Sequence, residues 1–158
     1  MIKLRNFFLE SFYVRIVKEH TPFTTYMSKT ILCTIDFSAS SRHTLQCAVS
    51  LAKDLQAHLT VLYTYRLIRV KNEEVVEGKK KIEAAAALNF AAIEEVLRGE
   101  GISYDFKTEV GFVVDRIEAF AKESSLGFVV IDKNMNVNNK EAFDELIEHL
   151  QVPVVIVP

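Results

Sequence analysis

The chain lacks several features on which specialised architectures depend. It has no tryptophan, five glycines and three prolines, and its two cysteines, Cys33 and Cys47, have no CxxC-type partner. This argues against a disulfide framework and a cysteine-based zinc site, and it favours reduced, buried thiols in a cytoplasmic protein. No apolar run reaches the roughly 18 residues that a membrane-spanning helix needs. The apolar stretch near the start is too short for a secretory signal.

An excess of charge of one sign is also missing. The 19 Lys and Arg residues stand against 21 Asp and Glu residues, which gives a formal net charge of −2. A dedicated nucleic-acid binder needs a concentrated basic face, so we expect no nucleic-acid partner. With 158 residues and 49% hydrophobic residues, the chain is long and apolar enough for one globular domain with an appendage.

Residues 1–28 differ in composition from the rest and form an N-terminal extension to a domain at 29–158. An apolar residue recurs every four positions, at Leu4, Phe8, Phe12 and Ile16. This spacing indicates an accessory helix that docks on the domain, on a partner or on a membrane surface. The extension is alternatively an artefact of start-codon choice, because Met27 stands just before the first strand. We favour the accessory helix or the artefact over the membrane role.

From residue 29 onward, short apolar runs alternate with amphipathic segments. The runs that read as strands lie at 31–36, 58–65, 102–110, 127–132 and 152–157. This alternation predicts an α/β fold with an open, parallel five-stranded sheet and helices on both faces. Ligands bind beyond the carboxyl ends of the strands in such sheets. The first candidates for a site are therefore the residues after strands one and four, namely Asp36, Phe37, Ser38, Asp132 and Lys133.

Three stretches follow one another in a characteristic order. They are ILCTIDFS at 31–38, AVSLAKDLQAHLTVLY at 48–63, and the segment 111–132 together with VPVVIV at 152–157. In this order and spacing they resemble the universal stress protein family, and the resemblance covers about residues 29–158. It implies an adenine nucleotide α-hydrolase-like (Rossmann-like) fold with strand order 3-2-1-4-5, in which strands one and four are neighbours.

Nucleotide-binding members of this family carry a glycine-rich loop after strand four, where the backbone approaches the phosphates. None of the glycines of this chain follows strand four; they are Gly78, Gly99, Gly101, Gly111 and Gly127. The three glycine positions of the loop align with Asp132, Met135 and Lys140. A carboxylate at Asp132 would face the phosphate oxygens. We therefore expect a divergent member that lacks the ATP-binding loop and has no cofactor.

A degenerate nucleotide pocket is the alternative. Asp36 is retained where nucleotide-binding members contact the nucleoside, whereas Thr34 stands where the family usually has proline. A divergent member would hold ATP or AMP through Asp36 and backbone groups near Thr64. The candidate cofactor-binding residues are Thr34, Asp36, Thr64 and Asp132.

Two sharper chemical hypotheses use the same residues. Asp36 and Asp132 would form a cation or phosphoacceptor site if they converged, but the chain has no Lys at the end of its last strand. The plainer interpretation is that Asp36 orients the following helix and that Asp132 is solvated in a loop. Ser38 and His43 lack the GxSxG elbow of a hydrolase. We expect no catalytic residues and no metal site.

The last predicted strand is an uninterrupted apolar run at the edge of the implied sheet. It comprises Val154, Val155, Ile156 and Val157. A bare apolar edge invites pairing with another chain, and members of the family commonly dimerise through this strand. We therefore predict a non-enzymatic, regulatory stress-response module that acts as a homodimer through antiparallel pairing of this edge, with an unknown protein as a possible further partner.

Overall fold

The computed structural model describes residues 13–15, 30–67, 75–123, 125–135 and 140–158. Its elements in chain order are β1 (Tyr13–Arg15), β2 (Thr30–Ile35), α1 (Ala39–Leu55), β3 (Leu59–Tyr65), α2 (Val75–Gly99), β4 (Tyr104–Val110), α3 (Val113–Glu123), β5 (Leu126–Asp132), α4 (Lys140–His149) and β6 (Val154–Val157).

The strands form one six-stranded sheet. Strands β2 to β6 pair in parallel in the order β4-β3-β2-β5-β6, and β1 pairs antiparallel with β6. The five predicted strands are β2 to β6, so the predicted order 3-2-1-4-5 is confirmed. Because β2 and β5 are neighbours, the segments that follow them leave the sheet side by side, as ligand sites of open α/β sheets require.

Two apolar cores lie on opposite faces of the sheet. In β2, Ile31 and Cys33 belong to the core that α1 and α2 cover, whereas Leu32 belongs to the core that α3 and α4 cover. This alternation follows from the two-residue period of a strand. Strand β5 is buried along its whole length, from Leu126 to Asp132, because both of its faces are covered.

Helix α2 packs on the sheet through one apolar face. Its buried residues are Ala86, Phe90 and Leu97. The ring of Phe90 stacks on Phe106 of β4 with centroids 3.8 Å apart. The Tyr65 hydroxyl donates a hydrogen bond to Oε1 of Glu83 at 2.8 Å, which ties the helix to β3. One face of α2 is therefore fixed, and the opposite face looks outward.

The outer edge of β6 is covered by the chain itself. Strand β1 lies along it with Tyr13 opposite Ile156, Val14 opposite Val155 and Arg15 opposite Val154. The prediction of a bare edge over 154–157 is therefore wrong. Natural proteins commonly protect an apolar edge by covering it. Antiparallel pairing of β6 between two copies would require β1 to leave, and the homodimer itself stays a prediction.

The N-terminal extension is only partly described. Residues 13–15 form a strand, which contradicts a helix that runs unbroken from Leu4 to Ile16. All four residues of the predicted helical stripe lie outside the described residues, as does Met27. The remainder of the extension and the choice of start codon stay predictions.

The hydrogen-bond pattern of β6 decides which residues of β1 bind it. The carbonyls of Pro153 and Val157 accept hydrogen bonds from N–H groups on the β5 side. The donor to the Val157 carbonyl is Lys133, at 2.8 Å. Successive residues of a strand point their polar groups to opposite sides, so those of Val154 and Ile156 point toward β1. Arg15 and Tyr13, which lie opposite them, are therefore the hydrogen-bonded positions of β1.

A proline at Tyr13 should release β1, whereas a proline at Val14 should not. Proline removes a ladder N–H in Tyr13→Pro, but the Val14 N–H points away from β6 and its loss is tolerated on an edge strand. We expect the Ile156 amide to exchange its hydrogen about tenfold faster in Tyr13→Pro, which corresponds to roughly 1.4 kcal/mol of easier opening. Hydrogen-exchange NMR measures this. Equal acceleration in Val14→Pro would contradict the deduced pattern.

Candidate ligand cleft at the carboxyl ends of the strands

A cleft of about 440 Å³ opens at the carboxyl ends of β2, β3 and β4. Residues 35–36 and 63–66 form its floor, residues 111–115 before and within α3 form one wall, and Met135 and Ala142 complete the lining. It lies where the topology of an open α/β sheet places ligands. Of the predicted cofactor-binding residues, Asp36 and Thr64 line the cleft, whereas Thr34 and Asp132 do not.

The turn after β2 is built around the Asp36 carboxylate. Its Oδ1 accepts hydrogen bonds from the Ser38 N–H at 2.9 Å and from the Ser41 hydroxyl. Ser38 is the N-cap of α1 and accepts from the Ser41 N–H at 3.3 Å. Asp36 therefore orients the start of α1, in agreement with the plainer prediction, and Ser38 is engaged as a cap.

Phe37, between these residues, has a φ of 63°, in the left-handed region. For a residue with a side chain this conformation costs about 1–2 kcal/mol. The ring packs against Tyr63, with centroids 4.7 Å apart, and against Phe106 at 6.3 Å. Packing of the ring thus holds the turn in the conformation that returns the Ser38 N–H toward Asp36.

The pKa of the Asp36 carboxyl lies below its ordinary value. Partial burial alone would raise the pKa. Hydrogen bonds from the Ser38 and Ser41 side chains, together with backbone N–H groups, stabilise the carboxylate and lower its pKa by more than burial raises it. Asp36 therefore contributes one negative charge to the cleft at neutral pH.

Aromatic rings and one cation form much of the remaining lining. Tyr63 and Tyr65 lie stacked with centroids 6.2 Å apart. The Arg66 guanidinium carbon lies 5.4 Å from the centre of the Phe112 ring, within cation–π distance. The lining of the cleft therefore combines aromatic residues with the Arg66 guanidinium and the carboxylates of Asp36 and Asp115.

Asp132 has surroundings different from those predicted. It is the last residue of β5 and is 1% exposed, so the prediction of a solvated Asp132 is wrong. Its Oδ1 accepts the Asn134 N–H at 2.7 Å, while its Oδ2 is buried and has no hydrogen-bond partner among the described residues. Within β5 it shares a face with Val130, in the core that α1 and α2 cover.

Only one of the two carboxylates at the centre of the sheet therefore lines the cleft. Asp36 lines it and is bonded to the first turn of α1, whereas Asp132 is not among the lining residues. Thr34 is fully buried, and its Oγ1 also has no hydrogen-bond partner within the described part of the chain. Residues 136–139, which complete the loop after β5, lie outside the described residues.

The sequence profile of the universal stress protein family matches residues 27–134, which is more than half of the chain. This chain belongs to the universal stress protein family. The matched range runs from before β2 to the turn at Asn134 and leaves out β1, α4 and β6. It includes the Asp36 turn and ends within the turn that Asp132 forms.

Solved universal stress proteins share the fold. A member from Burkholderia pseudomallei is similar at a TM-score of 0.68 and 19% identity, covering 87% of this chain and 99% of that one. UspA from Lactobacillus plantarum gives 0.65 and 18%, covering 82% and 97%. A member from Archaeoglobus fulgidus in complex with dAMP gives 0.56 and 20%, covering 82% and 98%. At these identities the likeness concerns the fold alone. The curated protein sequences contain no match.

A serine, a histidine and an aspartate meet at the opposite ends of the strands. Nδ1 of His58 lies 2.7 Å from Oγ of Ser103, and its Nε2 lies 3.1 Å from Oδ1 of Asp105. The sequence alone does not reveal this contact, because it depends on the pairing of β3 with β4. The side chains of His58 and Asp105 are well exposed, and none of the three residues lines the cleft. The contact links β3 to β4 in this universal stress protein.

The described residues contain no group of three His, Cys, Asp or Glu side chains that would hold a metal ion. Within the same residues, no helix is both long and apolar enough to cross a membrane. Burial raises the pKa of the Cys47 thiol to about 11 and raises that of Cys33 as well. Both thiols are therefore protonated at neutral pH.

The lowered pKa of Asp36 predicts a specific acid sensitivity. A carboxylate with a folded-state pKa below its unfolded value adds stability above the unfolded pKa, and this contribution is lost as the pH falls through the folded pKa. In Asp36→Asn, the free energy of unfolding should therefore fall less between pH 7 and acid than in the wild type. Denaturant titrations at a series of pH values measure it. Asp54→Asn, at an exposed position of α1, is the control. A profile for Asp36→Asn that is parallel to the wild type would contradict the assigned role.

Proposed function

We propose that this universal stress protein is a non-enzymatic regulatory module that acts by binding and does not hold ATP in the way of the nucleotide-binding members. The observation that carries the proposal is the hydrogen bond from the Asn134 N–H to the Asp132 carboxylate, 2.7 Å long. A phosphate-binding loop needs its backbone N–H groups directed at the ligand. In the turn after β5, the Lys133 N–H is used in the sheet by Val157, and the next N–H, that of Asn134, is already bound to an internal anion.

The electrostatics of the site support the same conclusion. A triphosphate beside β5 would approach the buried carboxylate of Asp132, whose Oδ2 has no compensating donor in the described part of the chain. The lining residues of the cleft carry two carboxylates, Asp36 and Asp115, against the single guanidinium of Arg66. A lining with a negative balance disfavours a ligand with several negative charges.

The residues of the cleft also support a role without catalysis. The lining contains no histidine, cysteine or lysine among its described residues, so a His-activated hydroxyl and the Cys and Lys nucleophiles of covalent catalysis are missing from it. Ser38, the serine of the hydrolytic hypothesis, is the N-cap of α1. The cation or phosphoacceptor hypothesis needs Asp36 and Asp132 in one site, whereas only Asp36 lines the cleft and Asp132 is buried.

A divergent adenine-nucleotide site is the second candidate. Asp36, Tyr63 and Thr64 line the same cleft, and the volume of about 440 Å³ falls in the range of small-molecule sites. The Archaeoglobus fulgidus relative was solved in complex with dAMP. A ligand of this kind would place its base and sugar in the cleft and would gain little from a polyphosphate tail.

Thermal-shift titration separates the two candidates. A ligand at 100 times its Kd stabilises a protein by about 2.7 kcal/mol, which raises the midpoint by roughly 5–10 °C at this size. We expect no rise with about millimolar ATP–Mg²⁺, beyond that with Mg²⁺ alone. A rise with ATP that exceeds the rise with adenosine would contradict the proposal. Equal rises with adenosine, AMP and ATP that Asp36→Ala abolishes would establish the second candidate.

Variants of Asp132 test the cause of the exclusion. Asp132→Asn removes the charge but keeps an acceptor for the Asn134 N–H, whereas Asp132→Gly removes both. We expect the midpoint rise with ATP–Mg²⁺, relative to adenosine, to increase from wild type to Asp132→Asn to Asp132→Gly. An unchanged response in Asp132→Gly would show that the Asp132 carboxylate is not what excludes the phosphates.

A further inference from the structure

The cleft at the carboxyl ends of β2, β3 and β4 carries charges that the chain does not pair. The carboxylates of Asp36 and Asp115 and the guanidinium of Arg66 line it. The ion pairs among the described residues include none of these three. The hydrogen bonds to the Asp36 carboxylate come from neutral groups of Ser38 and Ser41. Two carboxylates against one guanidinium leave the charged side chains of the lining with a balance of one negative charge.

The lining already holds one cation against an aromatic ring. The guanidinium carbon of Arg66 lies 5.4 Å from the centre of the Phe112 ring, within the distance at which the face of a ring attracts a cation. Two further aromatic residues of the lining, Tyr63 and Tyr65, have stacked rings with centroids 6.2 Å apart. The lining therefore combines an unbalanced negative charge with three aromatic residues, one of which binds a cation of the protein itself.

The size and the charge of the cleft together indicate an organic cation. A volume of about 440 Å³ is in the range of small-molecule sites, so a bare metal ion would fill little of it. An anion is disfavoured by the negative balance of the lining, and a neutral ligand gains no Coulomb energy from it. An ammonium, amidinium or guanidinium group gains from carboxylates and from aromatic rings, the two kinds of group that recognise organic cations.

We propose that the cleft binds a small organic monocation, in which an ammonium, amidinium or guanidinium group is carried on an aromatic body. The positive charge of the ligand balances the part of the charge of Asp36 and Asp115 that Arg66 leaves uncompensated, and the body of the ligand packs among the aromatic residues of the lining. This inference rests on the proposed function, because it names the ligand class of a module that acts by binding without family-type ATP binding.

Matched pairs of a cation and its neutral isostere test the charge of the ligand. Benzamidine is paired with benzamide, and 2-phenylethylamine is paired with 2-phenylethanol, at equal concentrations and constant ionic strength. At about 10 mM, about ten times a Kd of about 1 mM, a ligand should raise the unfolding midpoint by roughly 3–6 °C at this size. We expect such a rise with at least one of the two cations and none with its neutral partner. The proposal is overturned if neither cation raises the midpoint, or if the neutral isosteres raise it as much.

Variants of the charged residues test where the cation binds. We expect Asp115→Asn to raise the Kd of the better-bound cation by about fivefold or more, because it removes one of the two carboxylates. Arg66→Gln should lower this Kd, because it removes the competing positive charge. Asp144→Asn, at an exposed position of α4 outside the lining, is the matched control for net charge and should leave the Kd unchanged. Isothermal titration calorimetry measures each Kd. An unchanged Kd in Asp115→Asn, or a higher Kd in Arg66→Gln, would overturn the proposal.

The response to ATP separates this inference from the proposed function. A midpoint rise with ATP–Mg²⁺ that exceeds the rise with adenosine contradicts the proposed function, whatever the cations do. If ATP–Mg²⁺ and both cations leave the midpoint unchanged, the proposed function stands and the cation inference alone fails.

Discussion

The same local interaction closes both turns at the centre of the sheet. After β2, Asp36 accepts the N–H of Ser38, and at the end of β5, Asp132 accepts the N–H of Asn134, in each case from two residues further along the chain. These N–H groups lie beyond the last strand partners and would otherwise need water or a ligand. Because the protein supplies its own anion at both positions, neither turn needs a bound phosphate to satisfy its N–H group.

The two turns differ in what their carboxylates face. Asp36 is exposed at the rim of the cleft, and its hydrogen bonds lower its pKa, so its charge is available to a ligand. Asp132 is buried and does not line the cleft, and one of its oxygens lacks a donor within the described residues. A base or sugar hydroxyl can hydrogen-bond to the first carboxylate, whereas a phosphate gains nothing from either. This difference between the two carboxylates is the physical basis of the proposal that the family fold is kept here without family-type ATP binding.

The sequence predicted the fold better than it predicted the site. Alternating apolar and amphipathic runs and the family resemblance led to the strand order, and the Asp-Phe-Ser turn led to Asp36. The burial of Asp132 could not be predicted from the sequence. A side chain at the end of a strand is solvated or buried according to the face of the sheet on which it lies, and the sequence does not give that face. Strand β1 has three residues within a segment of helical spacing, and its partner lies at the far end of the chain. The contact of His58 with Ser103 and Asp105 needed the register of β3 with β4.

Helix α2 is the element that connects the cleft with the outer surface. The Tyr65 hydroxyl, on a residue that lines the cleft, donates to Glu83 of α2, and the exposed Ala84 follows directly in sequence. Proximity alone does not couple two sites, since coupling requires an element with two arrangements that both sites bias. The inward residues of α2 are packed against β4, with Phe90 stacked on Phe106, so a ligand in the cleft would have to shift the whole helix to affect its outer face. A side-chain adjustment at Tyr65 would leave this packing in place, so the hydrogen bond between Tyr65 and Glu83 does not by itself couple the cleft to the outer face of α2.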